Sequence, residues 1–410
     1  MSRKELLVFA NEFPYANYET YMETEAKYWD KFDKVYIFSL QLRRKNRKTH
    51  RDVPSNCTVI PVLFNPLAYI LWALRALADK NLYDEFQMLI NQKKCSLRSI
   101  IQLIVYISRS HYEAHVIIKK IKKNSINLNN PVFYSYRFGY QPYVALLARR
   151  IISPDSPMYC RAHGYDLYEN RKKSNYIPMR SFILGEITKC FPVSDDGTKY
   201  LKRCYPLFQD KIETRYLGTL DKGRVKLDRK AGFKIVSCSS VSEVKRVNLI
   251  IDALSLINRV EIIWVHFGDG PLLEQMKSYA GEKLPDNIGV EWRGNLDNKT
   301  ITKEYSSGEY HLFINTSSSE GLPVSIMEAI SAGIPVIATD VGGTREIICD
   351  GINGSLMPAD VTAEQLSSMI LSYVGMNESD YQSISDSARS IWNSRFNADI
   401  NYTEFVDEII

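Results

Sequence analysis

Between residues 315 and 346 the chain reads N-T-S-S-S-E-G-L-P-V-S-I-M-E-A-I-S-A-G-I-P-V-I-A-T-D-V-G-G-T-R-E. Two carboxylates, Glu320 and Glu328, frame a Gly-Leu-Pro turn. Pro323 suits a first helical position, where a missing N–H costs nothing. Glu320 then lies in the loop before a helix, and Glu328 lies on it, the sixth residue from Pro323 and about 7.5 Å further along at 1.5 Å per residue. Ionised carboxylates only accept hydrogen bonds, so two at this separation can hold hydroxyls on two different sugars. The unpaired N–H groups of the helix start add a site for a hydroxyl or a phosphate. Gly342 and Gly343 follow the next strand, where backbone can approach closely. The same pattern also suits an ordinary βαβ unit with a surface glutamate, because spacing alone does not fix function.

Short apolar strands and helical stretches alternate to position these residues, the signature of a parallel α/β fold. In the first half, strands are expected at Glu5–Ala10, Val35–Ser39, Cys57–Val62, Val132–Tyr136, Met158–Arg161, Cys190–Val193 and Glu213–Tyr216. A helix is expected from Glu19 to Lys31, and residues 67–123 read as a long helical insertion. Residues 218–232, charged and containing glycine, read as a linker. Beyond them, strands are expected at Phe233–Cys238, Ile262–Phe267, Gly289–Trp292, Leu312–Asn315 and Pro335–Thr339. Ligands of such sheets sit at the carboxyl ends of the strands.

The E-G-L-P-V-S-I-M-E-A and G-I-P-V-I-A-T-D-V-G-G-T-R-E stretches resemble glycosyltransferase family 4, of the GT-B fold. The resemblance implies two Rossmann-like, doubly wound parallel-sheet domains facing across a cleft. Residues 1–218 would bind the acceptor and 219–388 the nucleotide-sugar donor. A helix at 389–410 would return to the first domain through Trp392 and Phe396. Glu328 is implied to bind the donor's ribose hydroxyls, Glu320 to contact the transferred sugar, and the amides of Gly321 and Leu322 to hold sugar or phosphate.

V-S-C-S-S-V-S-E-V-K-R-V-N-L-I-I-D-A-L, 236–254, is similar to the family's first donor-domain strand and helix, where a basic pair neutralises the diphosphate. Lys245 matches its second member; Ser240 stands near the place of the first, an arginine, and Arg246 is the candidate substitute. F-G-D-G-P-L-L-E, with Gly268 and Gly270, resembles the family's glycine-turn-proline loop, and W-R-G-N-L, with Arg293, the loop beside the base. R-A-H-G-Y-D-L-Y, 161–168, resembles the acceptor-domain motif whose histidine faces the donor sugar. It implies a catalytic-site role for His163, with Arg161 and Asp166 beside the acceptor. N-E-F-P-Y-A-N-Y-E-T, carrying Asn11 and Tyr15 as acceptor-binding candidates, stands where the family has a glycine-bearing loop and has no glycine.

Composition limits the function classes. At 410 residues, 45% hydrophobic and 24% charged, the chain is globular and long enough for two cores. The seven cysteines have no metal-ligand spacing and read as reduced, mostly buried thiols of a cytoplasmic protein. No D-x-D triplet occurs, so neither a metal nor any other cofactor is expected. The net charge of +5 is modest, but Arg43–Arg51 and Lys119–Lys123 are basic runs. With the aromatic segment Tyr69–Trp72 they suggest salt-sensitive, peripheral contact with anionic membrane. No reader motif accompanies the charge, so nucleic acid is not an expected partner.

The resulting expectation is a retaining, metal-independent hexosyltransferase. It would move sugar from a UDP- or GDP-sugar to a glycan or lipid-linked acceptor, in surface polysaccharide biosynthesis. A nucleotide-sugar epimerase, a phosphorylase or a non-catalytic sugar-nucleotide-binding subunit are the alternatives.

Overall fold

The computed structural model describes residues 4–16, 19–48, 50–224, 229 and 232–410. Its chain divides into two compact units, one of Met1–Tyr216 with Tyr402–Ile410, the other of Leu217–Asn401. The anticipated linker lies in the second unit, and its residues 225–228, 230 and 231 are outside the described residues.

The first unit holds a parallel sheet of β1 (Glu5–Ala10), β2 (Lys34–Leu42), β3 (Cys57–Leu63), β4 (Val132–Ser135), β5 (Met158–Ala162) and β6 (Lys189–Pro192). Their order is β3-β2-β1-β4-β5-β6. The second unit's parallel sheet consists of β7 (Phe233–Cys238), β8 (Ile262–Phe267), β9 (Ile288–Gly294), β10 (Leu312–Asn315), β11 (Val336–Thr339) and β12 (Gly354–Met357), in the order β12-β11-β10-β7-β8-β9. Read from β9, it repeats the winding of the first sheet. Each is the doubly wound dinucleotide-fold order, with its switch point between the first and fourth strands. The crevices available to ligands therefore open at the carboxyl ends of β1 and β4, and of β7 and β10. Central strands such as Leu6–Ala10 are buried on both faces, hence their continuous apolar composition.

The insertion after β3 is helical, as its periodicity predicts. Its longest helix, Leu97–Lys123, starts at a Ser96–Ser99 capping box and buries Leu103, Tyr106, Ile107, Ala114, Ile117 and Ile121 along one stripe.

Several expectations change. The helix expected at Glu19–Lys31 is an α-helix over Thr20–Ala26 and a separate 3-10 turn over Trp29–Lys31. Glu213–Tyr216 forms no strand. An isolated bridge, Cys190–Ile212, precedes it, and the amides of Glu213 and Arg215 donate to the Cys190 and Pro192 carbonyls without forming a ladder. The strand β12 has no counterpart among those expected. Of the cysteines only Cys160 and Cys190 are buried; Cys95 and Cys204 are exposed.

The C-terminal segment is two helices, Glu378–Arg395 and Ala398–Ile409. Trp392 and Phe396 are buried in the second unit, not the first: the Trp392 indole donates to Thr219 Oγ1 at 2.7 Å and the Phe396 carbonyl accepts from Thr219 N at 2.9 Å. Phe405, Val406 and Ile409 are the tail residues that enter the first unit's core.

Candidate functional sites at the two switch points

In the second unit, the segment after β7 runs through Ser239–Ser242 into a 3-10 turn, Glu243–Lys245, and then the helix Val247–Ser255. The segment after β10 is laced to it. Thr316 Oγ1 donates to the Lys245 and Arg246 carbonyls at 3.0 Å, and Ser318 N to the Val244 carbonyl at 2.8 Å. This lacing brings two predicted residues together across the switch point: Lys245 Nζ donates to Glu320 Oε1 at 2.6 Å. Asn315, the last residue of β10, donates to the same oxygen at 3.2 Å.

The remaining loops close on this pair through glycines. Gly342 has φ +56°, and a Cβ there would collide with the Glu320 carbonyl. Gly343 N donates to the Gly321 carbonyl at 2.7 Å, tying the loop after β11 to the Glu320–Gly321 turn. Gly268, at φ +139°, likewise lies against the Ser239 carbonyl, and Gly270 against Val241. The predicted close approaches are therefore approaches of loop to loop, which shape the crevice from behind. Pro323 is the residue before the helix Val324–Ser331 and not its first member, and Leu322 is buried.

Glu328 lies on that helix at 7% exposure, with its carboxylate accepting from Asn298. Burial pushes its pKa up to about 7, outweighing the Asn298 hydrogen bond, which lowers it. A carboxylate poised in this way gains from ligand hydroxyls that donate to its ionised form.

Arg246 is turned elsewhere. In a left-handed conformation (φ 47°), it donates to the carbonyls of Thr316 at 2.6 Å, Ala359 at 2.6 Å and Ser317 at 3.5 Å. Its guanidinium braces the loop that carries Glu320, so Lys245 is the cation of this pair that faces the crevice carboxylate. Arg293 is exposed and paired with Glu291 at 2.7 Å.

In the first unit, a cavity of about 210 Å³ opens at the β1/β4 switch point and is lined by Asn11, Gln41, Arg137, Gln141, Asp166 and Lys172, among others. Asn11 Oδ1 accepts from the amides of Gln41, at 3.0 Å, and Gln141. The glycine-free loop after β1 is organised by Glu19, whose carboxylate accepts from the N–H groups of Asn11, Glu12 and Phe13 at 3.1–3.2 Å. The chain's own carboxylate thereby fills the backbone nest that this loop makes. Arg137 holds Glu19 at 3.1 Å and Asp166 at 3.6 Å.

His163 follows β5. Its ring packs at a tilt against both rings of the stacked pair Tyr21–Tyr136, at centroid distances of 5.1 and 5.0 Å, and neither ring nitrogen has a hydrogen-bond partner. Burial, reinforced by the charges of Arg137 and Arg161, drives its pKa well below 6.5, so the imidazole is neutral at physiological pH. Asp166 accepts from His163 N at 2.7 Å and caps the following turn.

Two predicted acceptor contacts need correction. Arg161 is fully buried, ion-paired to Glu25 at 3.1 Å and packed over Phe405 at 4.2 Å. Its guanidinium joins the C-terminal tail to the sheet. Tyr15 is packed edge-on against His50 rather than lining the cavity. The residues that sequence reasoning missed are Asn298 and Asn315 around the glutamates, and Arg137, Gln41, Gln141 and Lys172 around the cavity. A signal existed for Asn315 and Arg137, since each closes or follows a strand at a switch point.

Comparison with known proteins agrees with this geometry. Residues 222–390 match the family model described as glycosyl transferases group 1. The GtfA subunit of a UDP-N-acetylglucosamine–peptide N-acetylglucosaminyltransferase from Streptococcus agalactiae is 24% identical over 213 residues, spanning 50% of this chain and 40% of that protein. The chain thus matches less than half the length of that relative. The apo lipopolysaccharide outer core galactosyltransferase WaaB aligns over 99% of both chains with TM-score 0.69 at 14% identity. Anabaena HepE in complex with UDP and glucose aligns over 99% of this chain and 98% of its own, with TM-score 0.65 at 16% identity. These likenesses establish the two-sheet GT-B fold. Within the second unit, residues 222–390 are thus similar to the glycosyl transferases group 1 family.

Proposed function

We propose that the chain is a glycosyltransferase that moves a hexose-type sugar from a UDP- or GDP-sugar to a glycan or lipid-linked acceptor, with retention and without a metal. The observation that carries this reading is the Lys245–Glu320 contact of 2.6 Å at the β7/β10 switch point. Glycosyl transfer leaves negative charge on the departing diphosphate, and a fixed cation there stabilises the transition state. When the diphosphate takes Lys245, Glu320 becomes available to a hydroxyl of the transferred sugar, and Glu328 accepts the ribose hydroxyls. In the retaining scheme the donor phosphate helps deprotonate the acceptor hydroxyl, so no enzyme nucleophile is required.

The cavity at the β1/β4 switch point is our candidate for the acceptor. Its charges balance, Arg137 and Lys172 against Asp166 and the adjoining Glu19, and amides line it. That balance favours an uncharged, hydroxyl-rich group over a phosphate. The lipopolysaccharide galactosyltransferase among the structural neighbours is in keeping with a role in surface polysaccharide biosynthesis. The GtfA relative is named as a subunit, which favours a second reading: a chain that acts together with a partner.

The first test is a thermal-shift comparison of UDP, GDP and ADP with their sugar conjugates. A ligand at 100 times its dissociation constant stabilises by about 2.7 kcal/mol. Stabilisation by one nucleotide family, followed by acceptor-dependent transfer, supports the reading. Epimerised or phosphorolysed sugar, with none transferred, would point to the epimerase or phosphorylase alternative.

A further inference from the structure

The short helices Pro66–Leu71 and Ala73–Leu77 place small and hydrogen-bonded residues inward and leucines outward. Ala68 and Ala76 are buried, and the buried Tyr69 donates to Glu113 Oε1 at 2.9 Å. On the other side, Leu67, Ile70, Leu71 and Leu74 are 70–78% exposed. Their spacing, i, i+3, i+4 and i+7, is that of an amphipathic helix whose apolar stripe faces water instead of a core. Leu77 and Phe64 extend the patch. Contiguous exposed apolar surface of this kind marks a contact with another phase or partner.

The surrounding charge identifies the partner. From residue 40 to 78 the chain carries Arg43, Arg44, Lys45, Arg47, Lys48, Arg51 and Arg75, against Asp52 as the sole acid. Arg43, Arg44, Lys45, Arg47, Lys48 and Arg75 are exposed. The basic turn Arg44–Lys48 is joined to the apolar helices through Arg43, whose guanidinium lies over the Phe64 ring at 5.8 Å. An apolar stripe with a basic rim is the composition of a helix lying in an anionic lipid interface. Among the described residues no helix is long and apolar enough to cross a membrane.

We infer that the helix pair Pro66–Leu77 docks on an anionic phospholipid surface, with the leucines entering the acyl boundary and the basic turn lying on the headgroups. This differs from the contact expected from sequence. Tyr69 is buried, and Trp72 is half-buried against Tyr112 and His115, so neither aromatic leads the insertion. The inference does not rest on the glycosyl-transfer reading, since binding is measured without donor or acceptor.

The test is flotation of the full chain with vesicles of phosphatidylcholine alone or mixed with phosphatidylglycerol, beside the variants Leu71→Asp/Leu74→Asp, Leu67→Ser/Leu71→Ser and Arg44→Glu/Arg47→Glu. The wild type should float with the anionic vesicles and much less with the neutral ones. Each leucine lost should weaken partitioning about tenfold. At about 1 M salt, where screening acts within about 3 Å, binding should weaken without vanishing. Because the leucines are exposed, all variants should melt with the wild type. Three results would overturn the inference: no wild-type binding to anionic vesicles, leucine variants that bind as the wild type does, or an apolar face covered by a second copy, seen as a concentration-dependent dimer that the leucine variants abolish.

Discussion

Glu328→Gln separates a buried, ligand-poised carboxylate from a merely structural one. Its pKa stands at about 7, against an ordinary 4.5, because burial penalises the ionised form. The folded state therefore binds the proton more tightly than the unfolded chain. The stability this contributes is fully present below pH about 4.5 and is lost as pH rises through about 7. The displacement corresponds to roughly 3 kcal/mol at 1.36 kcal/mol per pH unit. Denaturant unfolding at a series of pH values should show the wild type losing about that much relative to Glu328→Gln between acid and neutral pH. Ribose hydroxyls that donate to the anion would reverse the penalty. Nucleotide affinity should then rise with pH through about 7, and binding near pH 6.5 should release a proton, detectable by titration calorimetry in two buffers of different ionisation enthalpy. Glu328→Gln should release none and bind roughly 10- to 150-fold more weakly, the range for one lost charged hydrogen bond. Nucleotide binding of equal strength in the two proteins, with no proton linkage in either, would refute the assignment.

The other predictions concern the groups around it. Activity should survive EDTA; loss on chelation and recovery with manganese would contradict the metal-independent scheme. Lys245→Met should weaken nucleotide diphosphate binding by about tenfold or more while leaving the melting temperature near the wild type. Arg246→Met should do the opposite, because its guanidinium braces three loop carbonyls. Equal effects of the two on nucleotide affinity would mean that Arg246 also serves the diphosphate. His163→Phe keeps an aromatic ring against the Tyr21–Tyr136 pair, so folding and nucleotide affinity should hold while turnover falls on the order of 10²-fold; undiminished turnover would make His163 a core residue. With a pKa well below 6.5, His163 should leave no imidazole titration in the pH–rate profile near neutrality.

The sequence was most legible where chemistry is local. Glu320, Gly321 and Glu328 fall in one strand-loop-helix, and buried parallel strands announce themselves as short apolar runs such as Leu312–Asn315. The role of the glycines as loop-to-loop contacts was readable in kind, since only backbone without a Cβ approaches so closely. What failed depended on partners far along the chain. Arg161 beside a histidine motif reads as a site residue until Glu25 and Phe405 enclose it. Arg246 reads as a phosphate ligand until the carbonyls of Thr316 and Ala359 take its donors. Glu19 and Arg137 are separated by 118 residues, and only the switch point between β1 and β4 brings them together. Residues 213–216 run beside β6, where the amides of Glu213 and Arg215 donate to it, but the one bridge to β6 is at Ile212 and no ladder forms. The strand β12, Gly-Ser-Leu-Met, opens on two small residues and so shows no apolar run like that of β10.

Acceptor-dependent transfer is the most direct measurement of the central claim. The protein would be incubated with UDP- and GDP-hexoses and with lipid and glycan extracts as acceptors. Labelled sugar in the acceptor would be counted against nucleoside diphosphate released, and the product's anomeric configuration read by NMR. The account predicts equal amounts of the two, a product with the donor's configuration, and loss of both in Glu320→Gln. Nucleotide binding without transfer to any acceptor, or a product of inverted configuration, would contradict it.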